Sequence, residues 1–70
     1  EVDRRALERE VVTVETTYGA VEVKVARMNG RVTGATPEYE QCRAAAHAAG
    51  VPLRAVEEAA RAAFASLNLK

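Results

Sequence analysis

Seventy residues with ten basic and ten acidic side chains carry no net charge at neutral pH, and each half of the chain is separately balanced. This removes the long-range attraction that nucleic acid or an anionic membrane would require. Fifteen alanines, ten valines and four leucines, with no isoleucine or tryptophan, give one small domain a core of little bulk, for which association with another copy is a natural remedy. A single cysteine excludes an internal disulfide, and no apolar run approaches the roughly 20 residues that cross a bilayer.

The chain opens on EVDRRALERE with no methionine and no polar leader, as a piece of a longer protein would, and a reducing cytoplasm is its expected setting. Residues 2–7, VDRRAL, are a candidate edge strand whose arginines weaken the pattern. Arg4, Arg5 and Arg9 form a small basic cluster offset by Asp3, Glu8 and Glu10. It reads either as neutral surface or as a phosphate contact.

The following VVTVETTYGAVEVKVARMNGRV alternates at period two and is rich in β-branched residues, which predicts antiparallel strands. Val12, Val14 and Thr16 share one face of the first arm, and Val21, Val23 and Val25 one face of the second. Glu22, Lys24 and Ala26 occupy the other face. Tyr18, Gly19 and Ala20 are the expected first turn. Asn29-Gly30 is a strong two-residue hairpin signal, and a third strand is expected over residues 31–35.

Helical patterning takes over in TPEYEQC, residues 36–42. Thr36 is the expected N-cap, Pro37 the first helical residue, and Glu38 a first-turn acid that complements the helix dipole. Tyr39, Cys42, Ala46 and Ala49 fall on one stripe that Gly50 ends. Pro52 opens a second helix, with Leu53, Val56, Ala60, Ala63 or Phe64, and Leu67 inward and Arg54, Glu57, Glu58 and Arg61 toward water. The fold class is therefore α+β, a small antiparallel sheet of three to four strands followed by a two-helix hairpin. It forms a single domain over 1–70, with a β-meander over 2–35 and a helical hairpin over 37–68.

A two-residue loop at Asn29-Gly30 pairs Lys24 with Ala35, beside the entrance to the first helix. There a lysine and free helix amides could hold a phosphate, or Lys24 could be a solvated strand residue pairing with Glu22 or Glu38. Glu38 and Glu40 could offer oxygens to Mg²⁺ or Mn²⁺ when substrate phosphates supply the remaining ligands. Two positions apart on a helix they diverge, and capping and solubility would also account for them. Cys42 lies on the apolar stripe as a buried thiol, and with one His and one Ser the chain has no self-contained zinc or triad pattern.

Taken together, RRALERE, VTVETTYGAVEVKVA, GRV and PEYEQCRAAAHAAGVPLRAV resemble the C-terminal end of the LarC family, nickel-insertion proteins of nickel-pincer nucleotide cofactor synthesis. The most specific elements are T-x-Y-G-x-V-x-V-K-V over residues 16–25 and PEYE-x-C over residues 37–42. The resemblance implies a CTP-dependent cyclometallase acting on pyridinium-3,5-bisthiocarboxylic acid mononucleotide, whose product serves lactate racemase. It also implies a C-terminal region that holds CTP with Mn²⁺ or Mg²⁺ and forms a homo-oligomer, a trimer or hexamer. The family's nickel-handling portion lies upstream, so this segment is expected to be inactive alone. By the same likeness Lys24, Arg5 and Arg9 would meet the CTP phosphates, and Glu38 and Glu40 the metal. Glu8 stands where the family usually has Pro, Gly34 where Asn is common and Gln41 where Asp is common. The alternative is a non-catalytic structural module that serves only self-association.

Overall fold

A computed structural model describes residues 7–67. In chain order these form β1 (Leu7–Thr16), β2 (Gly19–Met28), β3 (Arg31–Pro37), α1 (Tyr39–Ala49) and α2 (Leu53–Ser66). The strands make one antiparallel sheet in the order β1-β2-β3, so the expected α+β class is what forms, with three strands among the described residues. The candidate edge strand at residues 2–7 lies outside the described residues, apart from Leu7, which opens β1.

Period-two alternation sorts the sheet into two faces. Val14, Val21, Val23 and Val25 point to one side and are buried there against Cys42 and Ala46 of α1 and Val56 and Ala60 of α2. This two-layer core is small, and each valine withdrawn from water contributes on the order of 1.5–3 kcal/mol, so its four strand valines and Val56 carry most of the packing. Ten-residue strands run to about 33 Å while α2 reaches about 21 Å, so the helices cannot cover the whole sheet. Beyond them, Arg27 donates from Nε and Nη2 to Glu10 Oε2 at 3.1 and 2.9 Å, joining β2 to β1.

Several expected boundaries move. Thr17 and Tyr18 form the first turn instead of Tyr18, Gly19 and Ala20, because Thr16 pairs with Gly19 and the Thr16 hydroxyl accepts from Tyr18 N at 2.9 Å. The Asn29-Gly30 turn forms as expected, with φ of 55° and 79°. A bulge then interrupts the β2–β3 register between Ala26 and Arg27, so Ala26 meets Gly34 and Lys24 meets Thr36, not Ala35. β3 runs two residues past its expected end, to Pro37, and Glu38 N still donates to Glu22 O at 2.8 Å. The helix can start only after that bond, so Glu38, not Thr36, is the N-cap of α1.

At its other end α1 closes with Gly50 at φ 68°. Gly50 N donates to His47 O and Val51 N to Ala46 O, a paired arrangement that satisfies the terminal carbonyls and turns the chain toward α2. Of the stripe expected on α1, Cys42 and Ala46 are buried, whereas Tyr39 is 52% exposed and Ala49 is also exposed. Both lie at the ends of a short helix, where the sheet no longer covers them. Leu67 is exposed for the same reason at the end of α2, and Glu57 is partly rather than fully exposed.

Candidate ligand site on the open sheet face

The sheet face away from the helices holds the side chains that alternate with the core valines. Strand pairing sets them in two adjacent rows, Arg9–Ala26–Gly34 and Val11–Lys24–Thr36. These six residues border a hollow of about 450 Å³. Neighbouring strands are about 4.8 Å apart and alternate residues about 6.8 Å, so the Arg9 and Lys24 backbones stand diagonally some 8 Å from one another. Two cations on long flexible stems at that spacing can converge on one polyanion. Among the described residues neither makes an ion pair, and the carboxylate of Glu10, which strand alternation places on the opposite face, is held by Arg27.

The expected cradle, in which Lys24 sits beside free amides at the start of α1, does not form. The Glu38 carboxylate accepts from Glu40 N at 3.0 Å and Gln41 N at 3.3 Å, so the helix start is already occupied by a negative group of its own chain. Pro37 is buried on the core side of the sheet while Lys24 is exposed on the other. Strand alternation separates them although their backbones are near neighbours.

Glu40 lies 3.6 Å from Arg43 in an exposed pair one turn along the helix. Neither Glu38 nor Glu40 belongs to a group of three or more metal-binding side chains among the described residues. Gln41 reaches back to the sheet, where its Oε1 accepts from Glu22 N at 2.7 Å and its Nε2 donates to Glu22 Oε1 at 3.2 Å. In effect the carboxamide replaces the strand residue that β3 would have supplied. Arg5 lies outside the described residues. Cys42 is fully buried, and burial, reinforced by the charges of Glu57 and Glu38 and opposed by Arg61, pushes its thiol pKa up, away from nucleophilic use.

Lys24 and Arg9 were legible as site candidates from the sequence, and they share the hollow. Gly34 and Thr36 were not, because the bulge that aligns them is set by a one-residue offset with no compositional mark, and Val11 joins them through the unbroken β1–β2 register. Among the described residues no helix is long and apolar enough to cross a membrane.

Residues 1–57 match the family model described as nickel insertion protein. A protein of Myxococcus xanthus (strain DK1622) that carries a nickel-insertion name is 53% identical over 63 residues, 90% of this chain and 16% of that protein. The pyridinium-3,5-bisthiocarboxylic acid mononucleotide nickel insertion protein of Desulfitobacterium hafniense (strain Y51) is 46% identical over 57 residues, 81% of this chain and 14% of that one. The chain thus spans about one sixth of the curated relatives it matches. Among solved structures, LarC2, the C-terminal domain of a cyclometallase involved in the synthesis of the NPN cofactor of lactate racemase, in its apo form, superposes with a TM-score of 0.76 at 38% identity. The match covers 87% of this chain and 42% of LarC2.

Proposed function

Because this chain belongs to the nickel insertion protein family, we propose that it is part of the C-terminal domain of a CTP-dependent cyclometallase and that its share of the work is to hold CTP on the open sheet face. The parent enzyme's substrates would be nickel and pyridinium-3,5-bisthiocarboxylic acid mononucleotide, the compound named for the Desulfitobacterium relative. The observation that carries the site is the meeting of Lys24 and Arg9 at one hollow. Both are unpaired among the described residues, and hydrogen bonds from such cations to phosphate oxygens are the strong, charge-assisted kind. Arg5 joins them in this reading on the strength of the family likeness alone.

A divalent ion, Mn²⁺ or Mg²⁺, would neutralise charge on the phosphates. Glu38 is committed to the helix amides and Glu40 to Arg43, so the support for these two as metal-side groups is likewise the family likeness, not their arrangement. The reaction itself belongs to the parent protein.

Thermal melting with CTP and Mn²⁺, set against ATP and against metal alone, tests the proposal. A ligand at one hundred times its dissociation constant adds about 2.7 kcal/mol to stability, so CTP should raise the Tm selectively and Lys24→Ala should abolish the rise. Equal responses to CTP and ATP, or none to either, would remove the CTP assignment.

A second reading has an observation of its own. Leu7, Val11 and Val32 are 41%, 59% and 41% exposed, and β1 and β3 are both edges of a three-stranded sheet among the described residues. Such surface suits self-association into a homo-oligomer. Lys24→Ala separates the two roles, because an interface lysine alters assembly and a phosphate lysine alters nucleotide binding with assembly intact.

A further inference from the structure

Lys24 has two acidic neighbours along the sheet. Glu22 precedes it by two positions on β2, so the two backbones stand about 6.8 Å apart on one face, within reach of a lysine and a glutamate side chain. Glu38 follows Thr36, the strand partner of Lys24, by two positions. Either carboxylate would neutralise the ammonium, yet Lys24 forms an ion pair with neither. Both acids are held at the start of α1 instead. Glu38 accepts from Glu40 N and Gln41 N, and Glu22 Oε1 accepts from Gln41 Nε2 at 3.2 Å. The second hold is aimed by a backbone bond, because Gln41 Oε1 accepts from Glu22 N at 2.7 Å and so anchors the carboxamide with its donor toward the glutamate.

We infer that Gln41 is a positioning residue for anion binding at Lys24: its carboxamide holds the Glu22 carboxylate and thereby leaves the lysine free for a phosphate. This rests on the nucleotide reading above and adds a residue that sets the strength of the phosphate contact without touching the ligand. The device requires an amide. A carboxylate at position 41 accepts from the same N–H but repels Glu22, and an apolar side chain neither anchors nor donates. Asp is common at this position in the family, so the device is a property of this chain and not of the family's ligand set. Once released, the Glu22 side chain turns to the cation two positions on, and an incoming phosphate must displace it. Both groups are exposed, so the competition is modest in size and sensitive to salt.

The test titrates the parent protein, Gln41→Ala, Glu22→Gln and the double variant with inorganic tripolyphosphate and with CTP, at low and at high salt, with a Tm for each to show that it is folded. Gln41→Ala should weaken both ligands about two- to fivefold at low salt, the range an exposed ion pair accounts for, and its deficit against the parent should shrink toward none at high salt. Glu22→Gln alone should stay within about twofold of the parent, and the double variant should match it, since Gln41 then has no carboxylate to hold back. If Gln41→Ala costs as much binding in the Glu22→Gln background, or the same at every salt concentration, the loss comes from the broken strand bond and the positioning role is wrong. If Gln41→Ala binds tripolyphosphate and CTP as the parent does, the inference fails while the nucleotide reading stands. If the parent binds neither ligand, the nucleotide reading fails and the inference with it.

Discussion

Gln41 shows how one side chain can continue a sheet that its own strand has left. Glu22 offers a backbone N–H and a carboxylate, and a carboxamide accepts from the first through its oxygen while donating to the second through its nitrogen. Gln41→Glu keeps the acceptor but sets two carboxylates together, and should cost about 1 kcal/mol in urea unfolding. Adding Glu22→Gln should recover most of that, and no recovery would show that the bond to the Glu22 side chain contributes nothing. Cys42 acts through burial. Its thiol pKa is raised, so as pH climbs past the ordinary thiol value near 9.0 the unfolded chain ionises first. The stabilising contribution is complete below that value and is lost as pH rises toward the raised one. Wild-type stability should therefore fall more steeply above about pH 9 than that of Cys42→Ala, and parallel Tm profiles would contradict this.

At the scale of elements, most of the fold was legible because its signals are local. Strand alternation, Asn29-Gly30 and Gly50 each act through the conformation of a few adjacent residues, and each is found where the sequence puts it. The bulge was not legible, since it arises from competition between two strands over a register that neither encodes alone. Its consequences spread along the chain, moving Lys24 from Ala35 to Thr36, extending β3 to Pro37 and delaying α1 until Glu38 can cap it. Tyr39 was misplaced for a related reason, because helical periodicity describes a stripe without saying where the neighbouring layer ends. Gly50 carries the joint between the helices. Gly50→Ala forces a side chain into a left-handed backbone and should lower stability by roughly 1 kcal/mol in thermal or urea unfolding. A change below a few tenths would mean the joint relaxes into another turn.

For the whole molecule, the division of labour follows from the two faces of a single sheet. One face is committed to a small valine and alanine core under the helices, which leaves the other to present Arg9 and Lys24 around a smooth centre. The candidate site was half legible. Its cations stand out in a strand, but the helix start that seemed to complete the site is closed by Glu38, and the true neighbours come from strand pairing. The most direct measurement follows backbone amide resonances as CTP with Mg²⁺ is added. Shifts concentrated at Arg9, Val11, Ala26, Gly34 and Thr36, absent in Lys24→Ala, are the expected result. Shifts centred on Glu40, Gln41 and Arg43, with the sheet residues unmoved, would show that the nucleotide goes to the helix start and that the open face is not its seat.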